Sequence, residues 1–387
     1  MVGNMRLFLK YASTCGFLSV VLLLSSCSPN VTDRPAMPIN DWFDARYEEE
    51  LQFSPISLSY MGRKDRNDEL GDFSYEAFKQ RLAWKQQTVE ALGSLYDYES
   101  LTAEEQTSFD IWTYQYEQML KAEPFFYSGL TFDQMNGVQN FLPTFLINIH
   151  KVDNAADMQA YIARVKAVAL RMNESLDNAK RSSALGVTSP GFALQGVIQQ
   201  SNAIITGAPF TSHEPGDAPV ADSAIWADMK QEIAALIDAA EITQPQADAL
   251  LANARLALLE DFKPAYQRII NWAEAEQDKV PSQSTGIGNQ PDGVAYYQYR
   301  LANQTTTDLN AADIHQIGLD EVARLRGEMT LIMQEVNFTG DLDSFLDTVR
   351  DGDWNYYPNT DDGRQAYLDD ATAAIETLKL QIPNYFG

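Results

Sequence analysis

The feature that most constrains the fold of this chain is the helical spacing of its apolar residues, which recurs along most of the sequence. Apolar residues separated by three or four positions lie on one face of an α-helix, and two segments show this rhythm most clearly. The first contains Phe109, Trp112, Tyr116 and Leu120, and the second contains Tyr161, Val165, Val168 and Met172. These patterns predict a mainly α fold in which both apolar faces are buried.

Further segments show the same helical character, and several have recognisable ends. The predicted helices cover residues 41–53, 75–95, 102–120, 157–179, 190–206, 222–240, 243–278, 311–336, 341–350 and 361–381. Thr102 and Glu105 have the spacing of a capping box at a helix start. Pro264 falls inside the segment 243–278, where its missing N–H predicts a kink or a break.

Two segments rich in Gly and Pro predict loops, at residues 207–219 and 281–293. The best candidate for a β-strand is the segment 127–132. A pattern of alternating apolar and polar residues is not convincing anywhere else, and no repeat of fixed length is evident.

The N-terminus predicts a bacterial lipoprotein signal over residues 1–26. Arg6 and Lys10 precede a short apolar stretch, and Leu24-Ser25-Ser26 then leads to Cys27, which resembles a lipobox. The alternative is an ordinary signal peptide with a cysteine present by chance. We expect lipidation of Cys27, a polar tether over residues 27–39 and a helical region over residues 40–387, anchored to the membrane by lipid. Because Ser28, and not Asp, follows Cys27, an outer-membrane position facing the periplasm is favoured.

The composition restricts the partners and the cross-links of the chain. Its formal net charge is −26, which argues against nucleic acid as a partner, since nucleic-acid binding depends on cationic contacts. Only two cysteines are present, Cys15 and Cys27. The first would leave with the signal and the second would carry lipid, so we expect no disulfide in the mature chain.

Two late segments resemble a known bacterial family. Gly288 to Tyr297 reads Gly-Asn-Gln-Pro-Asp-Gly-Val-Ala-Tyr-Tyr, and Ile314 to Val322 reads Ile-His-Gln-Ile-Gly-Leu-Asp-Glu-Val. Together they resemble the family called domain of unknown function 885, and Ser54-Pro55 and Gly62 match it more weakly. The resemblance implies a largely helical zinc metallopeptidase of the gluzincin type, often a lipoprotein, with a metal motif of His-Glu followed by Pro-Gly-His.

That implied metal motif would lie beyond the segments that carry the resemblance, and this sequence does not contain it. We therefore expect the multi-helix N-terminal portion of a gluzincin-like metallopeptidase, incomplete at its C-terminus, either as a fragment or as a natural truncation. Zinc is implied for the full-length family. For this chain we expect no cofactor, no catalytic residues and no activity alone. The apolar arcs of the segments 311–336 and 361–381 would then lack a covering partner and be exposed.

The residues themselves also argue against a zinc site. The chain has three histidines, His150, His213 and His315, and none of them pairs with another at the spacing that places two ligands on one helix face. His213 is followed by Glu-Pro-Gly-Asp, which indicates a loop more than a metal motif. The sequence also contains no Gly-x-Ser-x-Gly elbow, phosphate-binding loop or dinucleotide-binding glycine pattern.

Four residues are candidates for contact with a peptide substrate: Gly293, Tyr296, Tyr297 and His315. The two tyrosines follow a Gly-containing loop and could stack on a ligand or bind its carboxylate, or they could pack in the core. His315 lies on the apolar arc of its predicted helix, which favours a buried structural histidine over a substrate-facing one. Two functions stay open: an envelope lipoprotein that hydrolyses peptides in its complete form, and a non-catalytic helical surface lipoprotein that binds a peptide or protein partner.

Overall fold

The computed structural model describes residues 37–212, 220–280 and 284–386. This part of the chain is mainly helical and contains no β-strand, as the apolar spacing predicts. The predicted signal, Cys27, nearly all of the tether and His213 lie outside the described residues. None of the described helices combines the length and the apolarity needed to cross a membrane.

The described residues form fourteen α-helices. In chain order these are α1 (Ile39–Leu51), α2 (Pro55–Tyr60), α3 (Tyr75–Leu95), α4 (Ala103–Ala122), α5 (Val138–Ile149), α6 (Ala155–Ala184), α7 (Gly191–Ile204), α8 (Ala224–Asp238), α9 (Gln244–Ala257), α10 (Lys263–Gln277), α11 (Gly293–Thr305), α12 (Ala311–Glu335), α13 (Leu342–Asp351) and α14 (Asp361–Lys379).

Two predicted helix signals are confirmed. At the start of α4 the Thr102 N–H donates to the Glu105 carboxylate at 2.8 Å, and the Glu105 N–H donates to the Thr102 hydroxyl at 3.3 Å. The interruption predicted near Pro264 takes the form of a π-helical turn at Leu258–Phe262 between α9 and α10, and the chain stays helical through it. Proline has no N–H to donate to the carbonyl four residues earlier, so the regular α-helical bonding cannot continue through this position.

The sequence prediction missed α2, α5 and α11 and was wrong about a strand at residues 127–132. Helix α5 has a buried face of Leu142, Phe145 and Leu146, but Pro143 lies inside it, and proline inside a segment argues against a helix there. Residues 127–132 form turns and bends. The Ser128 N–H donates to the Phe125 carbonyl at 2.9 Å, and the Phe132 carbonyl accepts from the Ser189 hydroxyl at 3.2 Å. Backbone groups here therefore bond within local turns and to a side chain, and not to a neighbouring strand.

The described chain divides into two compact units. Unit 1 takes its residues from 1–117, 143–171 and 221–262, and unit 2 takes its residues from 118–142, 172–220 and 263–387. In unit 1, Trp42 packs edge to face on Trp112 at 5.8 Å between ring centroids. The fully buried Lys85 lies 3.3 Å from the centroid of Trp112 and bonds to Glu50 at 3.0 Å. Leu120, predicted on the same buried face as Trp112, is exposed.

A buried polar network lies on the α6 side of unit 1. The guanidinium of Arg164, which is fully buried, donates to His150 Nδ1 at 2.8 Å, to the Ser59 hydroxyl at 2.8 Å and to the Glu69 carbonyl at 2.9 Å. Since Arg164 can only donate, His150 Nδ1 must accept, and its Nε2 carries the proton that is donated to the Asp157 carbonyl at 3.1 Å. His150 is therefore neutral in the folded chain.

The protonation of His150 follows from this setting. Burial, and then the nearby Arg164 charge, lower the pKa of His150 from 6.5 to about 4, although the bond to the Asp157 carbonyl acts in the opposite direction. Burial also lowers the pKa of Arg164, to about 10. His150 further lies against the buried ring of Tyr161, with 4.9 Å between ring centroids. At neutral pH Arg164 is charged and His150 is neutral.

In unit 2, α7 packs against α10, and the buried hydroxyl of Tyr266 on α10 donates to the Gln139 carbonyl at 2.6 Å. By contrast, most apolar side chains of α12 and α14 are exposed. On α12 these include Leu319, Val322, Leu325 and Ile332, and on α14 they include Leu368, Ile375 and Leu378. Of the predicted arcs, the exposure of Val322, Leu325, Ile332, Ile375 and Leu378 is confirmed, whereas Ile314 and Met329 are half-buried and Met333 is buried.

Candidate functional site

A small cavity in unit 2, called the unit 2 cavity below, is the best candidate for a functional site. Its volume is about 20 Å³, which is room for a water-sized group. The walls come from the segment 129–132, the last turns of α6, the segment 187–189, and α10 with the residues just after it. Apolar side chains such as Phe132 and Leu194 alternate there with hydroxyl groups, a tryptophan and a glutamate.

Helix α10 provides two of the polar groups of the wall, Trp272 and Glu276. They are four residues apart, so they occupy the same face of the helix. Phe132 packs on Trp272 with 5.5 Å between ring centroids, and the Ser189 hydroxyl holds the Phe132 carbonyl. The turn at residues 129–132 therefore covers the Trp272 side of the cavity.

Glu276 brings a buried negative charge to the cavity. Its side chain is 8% exposed, and its carboxylate accepts from the Ser183 hydroxyl at 2.6 Å and from Lys279 Nζ at 2.7 Å. Burial by itself raises the pKa of Glu276, but the bonds from Lys279 and Ser183 outweigh it, so the pKa lies below its ordinary value. The carboxylate is therefore ionised at neutral pH and still has free lone pairs for a further donor.

Trp272 brings a donor that is not used. Its Nε1 atom is buried and has no hydrogen-bond partner among the described residues. A buried N–H without an acceptor costs about 1–3 kcal/mol, and such groups in native proteins call for an explanation. A bound group that accepts this hydrogen bond would remove the cost.

The segment that carries the family resemblance folds against the rim of this cavity. The side chain of Gln290 accepts from the Thr188 N–H at 3.1 Å and donates to the Thr188 carbonyl at 2.9 Å, and Thr188 lines the cavity. The Tyr296 hydroxyl lies 3.4 Å from the position that a Cβ on Gly129, another lining residue, would take. Residues within 288–297 therefore reach the rim at two points, through the hydrogen bonds of Gln290 and the close approach of the Tyr296 hydroxyl to Gly129.

The four predicted site residues have different positions. A Cβ on Gly293 would lie 1.9 Å from the Ile287 carbonyl oxygen, so glycine is needed to close the turn that leads into α11. Tyr296 is half-buried at the cavity rim. Tyr297 is exposed on α11, and His315 is exposed on α12, which corrects the interpretation of His315 as a buried structural histidine. The apolar arc on which it lies is itself exposed.

Sequence reasoning missed Trp272 and Glu276. Their four-residue spacing was visible, but the same spacing occurs in every helix of this chain. What distinguishes them is the covering turn at 129–132 and the hydroxyl of Ser183, which are distant in sequence.

The described residues do not fit a zinc site. They contain no group of three or more His, Cys, Asp or Glu side chains that could hold a metal ion. Both ring nitrogens of His150 are occupied by Arg164 and Asp157. His315 lies on an exposed helix face without such a group. No catalytic step through a metal is therefore assigned to these residues.

Comparison with known proteins establishes the family. The model of a bacterial protein family of unknown function, DUF885, matches residues 55–387. This chain belongs to the DUF885 family. No curated protein matches the chain.

A solved structure shares the fold of this DUF885 chain. It is described as "the putative lipoprotein from Colwellia psychrerythraea", with a TM-score of 0.71 and 19% sequence identity. The match covers 89% of this chain and 60% of the solved one, so the chain spans about three fifths of the length of that relative. At this identity the likeness concerns the fold alone.

Proposed function

We propose that this chain is the helical, peptide-binding portion of an envelope lipoprotein that hydrolyses peptides in its complete form. Membership of DUF885 supports the family expectation, the lipobox-like sequence before Cys27 supports a lipid anchor, and Ser28 after Cys27 favours the outer membrane, facing the periplasm. The observation that carries the proposal is the folding of the segment 288–297, which resembles the family most clearly, onto the rim of the unit 2 cavity.

Binding and hydrolysis are separate parts of this proposal. The unit 2 cavity has room only for a water-sized group, so the proposal places the peptide at the rim, where the segment 288–297 folds, and not inside the cavity. Hydrolysis requires a metal centre that the resemblance implies and that the described residues do not provide. We therefore expect this chain to bind peptides without cleaving them.

The test is peptide capture by the immobilised chain. A pool of tryptic casein peptides is passed over it, and the retained peptides are identified by mass spectrometry. We expect the wild type to retain a subset of the peptides. Gln290→Ala should lose this subset, because it removes the two hydrogen bonds to Thr188 at the rim. The matched control is Gln316→Ala, a glutamine exposed on α12, which should retain the same subset.

Retention of no peptides by the wild type would contradict the proposal and favour the non-catalytic lipoprotein with a protein partner. A separate measurement concerns the metal. After dialysis we expect no stoichiometric zinc and no cleavage of the retained peptides. One tightly held zinc per chain, with cleavage lost on chelation, would show that this chain has its own catalytic centre.

A further inference from the structure

We propose that unit 2 binds the C-terminal residue of a peptide through Arg300 and a cluster of three aromatic rings beside it. The rings belong to Phe125, Tyr296 and Tyr299 and are called the rim cluster below. Arg300 and the Tyr296 hydroxyl take the terminal carboxylate, and the last side chain packs on the rings. The inference rests on the proposed function for the class of ligand, and it adds which end of the peptide is recognised and by which side chains.

The rim cluster is a connected set of rings. Phe125 ends the short turn that follows α4, whereas Tyr296 and Tyr299 are three residues apart on one face of α11. Phe125 stacks on Tyr299 with 5.3 Å between ring centroids and 20° between ring planes. Tyr296 lies 5.8 Å from Phe125 and 6.4 Å from Tyr299, again between centroids. All three residues are only partly buried, so an apolar surface is already formed and is open to solvent.

Arg300 lies next to this cluster, one turn after Tyr296 on the same helix face. Its guanidinium donates to the Tyr296 hydroxyl at 3.4 Å. Burial raises the pKa of Tyr299, and the Arg300 charge acts in the opposite direction, so the guanidinium is also near Tyr299. Arg300 is exposed and forms no ion pair with a carboxylate among the described residues. Its charge is therefore available to a ligand.

The donors of Arg300 and Tyr296 indicate an anion as the ligand. An arginine side chain carries five N–H donors in a planar fork and cannot accept a hydrogen bond. The Tyr296 hydroxyl must therefore accept from Arg300, which leaves its own proton for a further acceptor. The guanidinium fork matches the two oxygens of a carboxylate. Arg300 and Tyr296 can thus donate to the same carboxylate without losing the bond between them.

The rings beside these donors indicate which carboxylate is bound. A C-terminal residue carries its carboxylate and its side chain on the same Cα, so the two groups reach neighbouring surfaces together. An Asp or Glu side chain ends in its carboxylate and has only polar backbone near it. Aromatic side chains pack on rings edge to face or offset, and the lysine or arginine that ends a tryptic peptide packs on them by cation–π contact. We therefore expect a free C-terminus with a large last side chain.

The site lies at the rim of the unit 2 cavity and outside its small volume. The Tyr296 hydroxyl is 3.4 Å from the position of a Cβ on Gly129, and Gly129 lines the cavity. Because glycine has no side chain, residue 129 does not cover the hydroxyl that donates to the ligand. The peptide therefore needs no space inside the cavity.

The test measures the affinity of four short probes for the full chain by saturation-transfer NMR titration. N-acetylglycyl-phenylalanine has the free carboxylate and the ring, and its C-terminal amide has the ring alone. N-acetylglycyl-alanine has the carboxylate without a large side chain. N-acetylaspartyl-phenylalanine amide has a side-chain carboxylate in place of the terminal one. We expect the first probe to bind and the other three to bind about tenfold more weakly, because each lacks the terminal carboxylate or the large last side chain.

Two variants with the same charge change assign the contact to Arg300. Arg300→Gln should weaken the binding of N-acetylglycyl-phenylalanine about tenfold and remove its preference over the amide, as expected for loss of a hydrogen bond between charged groups. Arg326→Gln is the matched control, because Arg326 is exposed on α12, and it should leave the affinity unchanged. Tyr296→Phe keeps the ring and should weaken the binding of the acid but not of the amide.

Equal affinities of the wild type for the acid and its amide would overturn the inference, as would equal losses in Arg300→Gln and Arg326→Gln. An aspartyl probe that binds as tightly as the acid would also overturn it, because the site would then not distinguish the C-terminus. The outcomes separate this inference from the proposed function. Casein peptides captured equally by the wild type and Arg300→Gln would refute the carboxylate site alone, whereas binding of the acid without capture of any casein peptide would refute the proposed function alone.

Discussion

Acidification should destabilise unit 1 through His150. In the unfolded chain its pKa is the ordinary 6.5, and in the folded chain it is about 4. Above pH 6.5 the ring is neutral in both states and contributes nothing to the pH dependence. Between pH 6.5 and 4 the unfolded chain takes up a proton that the folded chain does not, so the free energy of unfolding falls as the pH falls.

The magnitude follows from the difference between the two pKa values. At 1.36 kcal/mol for each pKa unit, the free energy of unfolding should fall by about 3 kcal/mol once the pH is below 4. The physical reason is the position of His150. A protonated ring there would be buried, would oppose the Arg164 guanidinium at 2.8 Å and would have no acceptor left at Nδ1.

The assay compares urea unfolding of the wild type and His150→Gln between pH 7 and pH 4, followed by tryptophan fluorescence. Glutamine keeps an acceptor and a donor but does not titrate. Carboxylates titrate equally in both proteins, so they cancel in the difference. We expect the difference in the free energy of unfolding, wild type minus variant, to fall by about 3 kcal/mol from pH 7 to pH 4. His315→Gln, at an exposed position, should follow the wild-type curve.

The reasoning would be refuted if the free energies of unfolding of the wild type and His150→Gln changed in parallel with pH. An independent measurement is the titration of the His150 ring protons by NMR. A midpoint near 6.5 would show that the ring is hydrated and not held between Arg164 and Asp157.

Three further predictions concern the anchor, a turn and the exposed helices. Cys27→Ala should give an uncleaved or soluble protein, and unchanged partitioning into detergent after signal processing would argue against lipidation. Gly293→Ala should destabilise the turn before α11 by about 1–3 kcal/mol, because its Cβ would overlap the Ile287 carbonyl. Gly288→Ala, with open space around it, should change the unfolding midpoint little. Hydrogen exchange should be faster across residues 311–381 than in α6, since the apolar arcs there are exposed, and uniformly strong protection would contradict this.

The sequence by itself determined the helices that have one apolar face and a local stop or start. The capping box of Thr102 and Glu105, the interruption near Pro264 and the buried face of Tyr161, Val165, Val168 and Met172 depend on residues within a few turns of one another. Such signals are local, so spacing along the chain is sufficient to predict them.

Only the tertiary structure decided the contents of the candidate site. Trp272 and Glu276 have the spacing of any helical pair, and what makes them unusual is burial by residues more than eighty positions away. The exposure of His315 could likewise not be predicted from local sequence, because an apolar arc is buried only when another element covers it. Helix periodicity specifies which side chains share a face, whereas packing between distant segments decides whether that face is buried, exposed or available to a ligand.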